Sequence, residues 1–213
     1  MEAIKFSSFE LNVTNEVINR LAQLGYTPES LKEAISKHEW KWKHQSDSPA
    51  LYCGTYGKYN EGNFGGMWVN ISTFDSYEDF INFCKAIHAD EEYPEIMCQD
   101  GENIPDSLCC ESMGEEGFNK ILKYLELCDD YGFSAVYDFL EWYTPDDLDN
   151  MNDSYVGVYE SEEDFAREIV SDCYNLEKMM GNLAYYFDYE ALARDLFMFD
   201  YHFGSHGTVF RAF

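Results

Sequence analysis

The sequence predicts an α+β fold in which a helical hairpin leads a larger acidic part. Three observations carry that expectation. Strand-like and helix-like segments follow one another without the regular alternation of a doubly wound sheet. Hydrophobic residues make up 46% and aromatics 17% of the 213 residues, a globular rather than a disordered composition. The acid is also segregated: residues 1–44 carry six Lys/Arg against six Asp/Glu, whereas residues 45–213 carry eight against 35.

Residues 14–24 read as an amphipathic helix that Thr14 can cap and Gly25 can stop. Thr27-Pro28-Glu29-Ser30 opens a second helix, with Pro28 in its first turn and Leu31, Ala34, Ile35 and His38 on one face. Lys41 and Lys43 alternate with Trp40 and Trp42, read as a connection with partly buried Trp, and Gln45 to Pro49 is a linker by composition. Leu51–Tyr56 and Met67–Ile71 are expected strands, joined by a glycine-rich turn from Gly57 to Gly66. Ser76-Tyr77-Glu78-Asp79 resembles a capping box, followed by a helix to about His88 with Phe80, Ile81, Phe83, Cys84 and Ile87 at apolar spacing. Asp90–Pro94 is an acidic break and Glu95–Asp100 a third strand. Residues 115–143 read as two helices separated by Gly132. The first has a stripe of Phe118, Ile121, Leu122, Leu125 and Cys128, the second one of Val136, Phe139, Leu140 and Tyr143. Pro145–Asp153 is an acidic loop. Tyr155–Tyr159 and Ser161–Phe165 echo Tyr52–Tyr56 and Ser76–Phe80, suggesting two related strand-to-helix modules. A helix over 188–198 and a strand over Thr208–Phe213 end the chain.

The 41 Asp and Glu against 14 Lys and Arg give a formal net charge of −27. Such a charge destabilises a compact chain through self-repulsion. A solubility or habitat effect would tint the whole sequence; segregation argues instead for a dedicated acidic surface facing a basic partner. Nucleic acid is excluded as that partner, because duplex affinity comes from neutralising phosphates. No run of about 18 apolar residues suggests a membrane span. The seven dispersed cysteines and the lack of a secretory apolar region lead us to expect a cytoplasmic protein with reduced thiols acting as small buried hydrophobes.

Enzyme signatures are weak. Asp146-Asp147-Leu148-Asp149-Asn150 lacks the alternating ligands and the sixth-position Gly of a calcium loop. His202 and His206 are four apart, but Gly204 and Gly207 place them in a loop, where a structural role is expected over zinc. There is no nucleophile elbow and no phosphate-binding glycine pattern. A carboxylate pair for hydrolysis has no specificity among so many acids. No cofactor or metal is expected.

Three segments, in order, resemble the ArdA antirestriction family. They are Gly57–Gly62 with Gly66-Met67-Trp68; Asp90–Glu95 with Gln99–Pro105; and Asn182–Leu196 with Gly207–Phe210. The resemblance covers roughly residues 51–213. Residues 1–49 exceed it, and Gly101 stands where relatives often carry an aromatic. It implies an elongated protein of three small domains: 50–111 with antiparallel strands and a helix, a helical 112–152, and a strand-and-helix 153–213, behind the 1–49 extension. It also implies a homodimer, carried by mobile genetic elements, whose carboxylates imitate duplex phosphates in the DNA-binding groove of type I restriction–modification enzymes. Duplex DNA carries one charge per roughly 1.7 Å, so 27 charges correspond to about 46 Å of duplex at that spacing. A dimer then corresponds to about 92 Å, against about 44 Å across for one compact globule of this length, so acids at DNA-like spacing agree with an elongated shape.

On that reading the partner-binding acids fall in three zones. The first is Asp90, Glu91, Glu92, Glu95, Asp100, Glu102 and Asp106. The second is Glu115, Glu116, Glu126, Asp129 and Asp130. The third is Asp146, Asp147, Asp149, Asp153, Glu160, Glu162, Glu163 and Asp164. An ordinary solvated carboxylate is the plain alternative for any one of them, and Asp79 and Asp164 also suit helix starts. Tyr59, Trp68, Tyr189 and Phe197 are expected in the core, and Arg194 is expected to pair with Glu190. Two other classes stay open: an acidic adaptor or chaperone-like module for another basic protein, and a hydrolase with buried carboxylates of raised pKa.

Overall fold

The computed structural model describes residues 3–6, 9–41 and 48–213. The expectations for Trp42, Lys43, His44 and the linker positions Gln45 to Asp47 lie outside the described residues. Ten α-helices and three small sheets are present among them, an α+β architecture as the sequence predicts. The chain divides into two compact units, residues 1–122 and 123–213.

The first unit opens with strands β1 (Ala3–Lys5) and β2 (Glu10–Asn12), paired antiparallel. The alternation of polar and apolar residues there makes a hairpin that the helical reading of the extension did not include. Helices α1 (Asn15–Gln23) and α2 (Pro28–His38) follow. Thr14 accepts a hydrogen bond from the Val17 N–H, and Thr27 and Ser30 form a reciprocal capping box. Such caps contribute about 1 kcal/mol each. The face bearing Leu31, Ile35 and His38 is buried. Trp40 is fully in the core, and its N–H donates to the Trp68 carbonyl at 2.9 Å, so it is no loosely covered connection.

The sheet of this unit has the order β4-β3-β5, from β3 (Ala50–Thr55), β4 (Met67–Asn70) and β5 (Ile96–Glu102), all antiparallel. A register shift falls at Tyr52/Cys53. The glycine-rich connection is not turn throughout. Thr55 caps a short helix, α3 (Tyr56–Asn60), by accepting from the Lys58 N–H. Helix α4 (Tyr77–Ile87) buries Phe80, Phe83, Cys84 and Ile87, as its spacing requires. Helix α5 (Glu115–Tyr131) begins in this unit and ends in the next. Its buried stripe takes in Tyr124 and Leu127, a rotation from the expected Leu122, Leu125 and Cys128, which are only half-buried.

In the second unit Gly132, at φ +84°, sits between α5 and α6 (Phe133–Trp142), a conformation that costs most other residues roughly 1–2 kcal/mol. Pro145–Asn150 is a 3-10 turn with Thr144 and Asp147 as a capping box, followed by α7 (Met151–Ser154), so the expected acidic loop is helical. Strand β6 (Tyr155–Val158) leads into α8 (Glu162–Cys173); then come α9 (Leu176–Met180), a 3-10 turn Gly181–Tyr186, α10 (Tyr189–Phe199), β7 (Tyr201–Phe203) and β8 (Thr208–Arg211). The sheet order is β6-β8-β7. The echoed modules share one cap chemistry. Ser76 and Ser161 each accept from the N–H of the Asp three residues on, at 3.1 Å, and each donates to that Asp carboxylate, at 2.8 and 2.9 Å.

One buried acid organises the second unit. Asp138, wholly inaccessible on α6, accepts from the N–H groups of His206 and Thr208 at 2.9 and 3.0 Å and from the His206 ring at 2.7 Å. It thereby clamps the β7–β8 turn. A side chain at Gly204 would come within 2.3 Å of Asp138, so only glycine fits there. Burial pushes the Asp138 carboxyl up, but the donors of His206 and Thr208 outweigh it, and its pKa lies below the usual value. Its stabilisation is therefore present above about pH 4 and is lost as the pH falls through the lowered pKa. Asp138→Ala leaves the buried Thr208 N–H without a partner and frees the β7–β8 turn, and is expected to destabilise the second unit by about 1–3 kcal/mol. Denaturant titration reads this out, and a loss below about 1 kcal/mol would show that the clamp is dispensable.

Candidate functional site

The acidic surface starts from a buried cation. Lys58 on α3 is 8% exposed. Its ammonium donates to the Asp90 carboxylate at 2.9 Å and to His88 Nδ1 at 2.9 Å, and lies 3.7 Å from Glu91. Glu91 accepts from the Thr55 hydroxyl at 2.6 Å. His88 must therefore be neutral, with Nδ1 the acceptor and Nε2–H donating to the Cys53 carbonyl at 3.2 Å. Burial, then the neighbouring Lys58 charge, lower the His88 pKa to about 4. Phe9 of the N-terminal hairpin covers the cluster. It stacks on the His88 ring at 5.4 Å and lies 5.2 Å beneath the Lys58 ammonium. Arg20 on α1 donates to the carbonyls of Ala89 and Asp90, each at 2.9 Å. The first acidic segment is thus pinned from two sides.

His88, Asp90 and Glu91 bring possible metal-ligand atoms within 4.8 Å of one another. The Lys58 ammonium lies among these atoms and serves as their cation. Catalytic geometry is also lacking at His206. The Ser205 hydroxyl and the Asp138 carboxylate both meet its Nδ1, at 3.2 and 2.7 Å, whereas a relay needs one on each ring nitrogen. His202 lies on strand β7, not in a loop, and stacks on Trp142 at 4.4 Å.

The twenty acids of the three zones are exposed at sixteen positions and half-exposed at four, namely Glu91, Glu102, Asp147 and Glu163; none is buried. Asp90, Glu91, Glu92 and Glu95 lie between α4 and β5, Asp100 and Glu102 on β5, and Asp106 on a 3-10 turn. Glu115 and Glu116 occupy the first turn of α5, and Glu126, Asp129 and Asp130 its last turns. Asp146, Asp147 and Asp149 lie on the 3-10 turn, Asp153 on α7, Glu160 before α8, and Glu162, Glu163 and Asp164 in its first turn.

Local physics accounts for some of these acids and not for others. Acids in a helix's first turn meet its partial positive charge, which favours Glu115, Glu116, Glu162, Glu163 and Asp164 where they stand. Asp147 accepts from the N–H and then the hydroxyl of Thr144, which lowers its pKa. Glu116 and Glu126 pair with Lys120 and Lys123 at 2.6 and 3.2 Å, and Glu163 pairs with Arg167. Asp129 and Asp130 sit instead at the carboxyl end of α5, where the last turn carries no basic residue and the helix dipole opposes them.

Sequence reasoning passed over Lys58 and Asp138. Each had a signal: Lys58 is the sole Lys or Arg between positions 44 and 84, and Asp138 the sole acid in the apolar run Phe133–Leu140. Tyr59, expected in the core, is exposed, because it falls on the outer side of the short α3 helix; Trp68, Tyr189 and Phe197 are half-buried. Cys110 and Cys173 are exposed, unlike buried Cys53, Cys84 and Cys98. Arg194 reaches Glu190 at 4.0 Å, as its helical spacing implies. No helix among the described residues is long and apolar enough to cross a membrane.

The neutral His88 makes stability depend on pH. Its folded pKa lies below the ordinary 6.5 or so, so protonation favours the unfolded chain. Stability is full above about pH 6.5 and falls towards pH 4 at about 1.4 kcal/mol per pH unit. His38, lowered to about 4 by burial and then by Lys37, adds the same slope. Unfolding midpoints at pH 7, 6 and 5 should decline, and less steeply in His88→Gln; equal slopes in the two proteins would mean that His88 is not held neutral.

A search of curated proteins found no match. The family model described as "Antirestriction protein (ArdA)" matches residues 51–210. Those residues hold the Lys58 cluster, the Asp138 clamp and all three acidic zones, and with about three-quarters of the sequence matched the chain belongs to the ArdA antirestriction family.

Proposed function

We propose that this chain counters restriction as a DNA mimic, occupying the DNA-binding groove of a type I restriction–modification enzyme with its surface carboxylates. The observation that carries this reading is the placement of the twenty zone acids, none of them buried, on helices, turns, a strand and a pinned segment of a chain of net charge −27. A groove built for phosphates presents Lys and Arg, to which fixed carboxylates offer charge-assisted hydrogen bonds. Held in place, they avoid the ordering that a flexible acidic tail would need. No base is read, so one inhibitor can serve enzymes of different sequence specificity. The three modules 50–111, 112–152 and 153–213 would each supply one part of the imitation, in the cytoplasm, where a mobile element's DNA meets the host enzyme.

The same reading includes a homodimer. Residues 174–187 carry one Glu and one Lys, in a unit that holds 20 acids and five Lys/Arg. Neither α9 nor the 3-10 turn after it has a buried residue, and Tyr185 and Tyr186 are 82% and 84% exposed. A second copy brings the same neutral apolar strip, so the two can pack without opposing like charge.

The test is cleavage of unmodified DNA by a type I enzyme, titrated with this protein at rising salt. Inhibition that weakens with salt and is relieved by excess DNA is expected. No inhibition of several such enzymes would favour an acidic adaptor for another basic protein. Neutralising one zone acid should change inhibition less than about threefold, as for exposed charges worth under 1 kcal/mol each, while neutralising a whole zone should weaken it progressively. A single acid whose loss abolished inhibition would contradict distributed mimicry.

A further inference from the structure

Behind the first acidic segment lies a groove of about 660 Å³, within the first unit. It is lined by Tyr77, Ile81 and Lys85, which follow at four-residue intervals along α4, by Leu24 just past the end of α1, and by Met113. The outer wall is the segment 91–96, carrying Glu92, Tyr93 and Glu95. That wall is held rather than loose: Lys58 and Arg20 pin its start, and the Glu95 carbonyl accepts from the Tyr56 N–H at 3.0 Å. It nevertheless holds Tyr93 in solvent at 85% exposure, above every other large hydrophobic side chain among the described residues.

Charge selects the occupant. Arg20 is engaged with backbone carbonyls and Glu91 with Thr55 and Lys58. Arg20 keeps its charge, so Glu91, Glu92 and Glu95 line the groove against Arg20 and Lys85, a net charge of −1, and neither Glu92 nor Glu95 is ion-paired among the described residues. Phosphates and other anions are therefore disfavoured, and an apolar group flanked by positive charge is favoured. Resting on the proposed mimicry, we infer that this groove receives an apolar side chain of the restriction enzyme, set between Lys or Arg residues of its DNA-binding face. The apolar group lies over Ile81 beneath Tyr93, and the flanking cations meet Glu92 and Glu95. The contact differs in kind from phosphate imitation. An aromatic rim around a desolvated apolar anchor is the usual composition of an interface hot spot, and it does not release counter-ions.

The experiment uses the full chain and a type I enzyme and compares wild type, Tyr93→Ala, Tyr93→Phe, Ile81→Asp and Glu92→Gln/Glu95→Gln in the cleavage assay across salt. Tyr93→Ala is expected to weaken inhibition about tenfold or more with the salt slope unchanged. Tyr93→Phe should keep wild-type potency, and Ile81→Asp should lose at least as much as Tyr93→Ala. The double Gln variant should reduce the salt slope. Tyr93 lies in solvent, so its removal leaves the fold intact, which an unchanged unfolding midpoint checks. Wild-type inhibition that Tyr93→Ala leaves unaltered would overturn the groove and leave mimicry standing. A wild type that inhibits no such enzyme would overturn both.

Discussion

Mutual repulsion of carboxylates is the constraint to which the rest of the fold responds. Residues 1–122 carry 21 acids against nine Lys/Arg, and residues 123–213 carry 20 against five, so the two units bear −12 and −15. Neither could hold that charge if its acids were inside. Keeping them out demands many surface positions per residue of core, and short helices joined by tight turns supply these. Where an acid does go inside, its charge is met in full, as the donors around Asp138 show. Where acids crowd beside the core, a cation is taken in with them, and Lys58 is spent in this way.

Two kinds of acid therefore share one surface. Some belong to the fold: they start helices, pair along them or complete a cap, and would be favourable in a protein with no partner at all. Others have no such local reason. Asp129 and Asp130 stand against their helix dipole, and Glu92 and Glu95 flank an apolar groove with no ion pair of their own among the described residues. Positions where local rules are broken without local compensation are where function is expected to reside. By that criterion the second kind has the stronger claim on a basic partner.

Much of this was legible in the residues. Caps at Thr14, Thr27, Ser76 and Ser161, the break at Gly132 and the α4 stripe follow from local chemistry, and local chemistry is what a single sequence states directly. Net charge and its segregation likewise point to the acidic surface. The parts that were not legible depend on distant residues meeting. Lys58 reads as one base in a glycine-rich turn until α3 forms and places it against His88 and Asp90, some thirty residues on. Asp138 reads as an interruption of an apolar helix until a turn about seventy residues later supplies its donors. Phe9 over His88 joins the N-terminal hairpin to the family region, and no spacing rule relates those positions.

The carboxyl end of α5 has a thermodynamic consequence of its own. In the free protein Asp129 and Asp130 weaken the last turn of that helix, next to the Gly132 break. A cationic surface that covers them removes an opposition already present in the unbound state, in addition to forming new ion pairs. In the proposed complex, association and helix integrity would be linked functions: a cationic partner there would firm the α5 terminus, and any change that firms it in isolation would lessen what the partner can add.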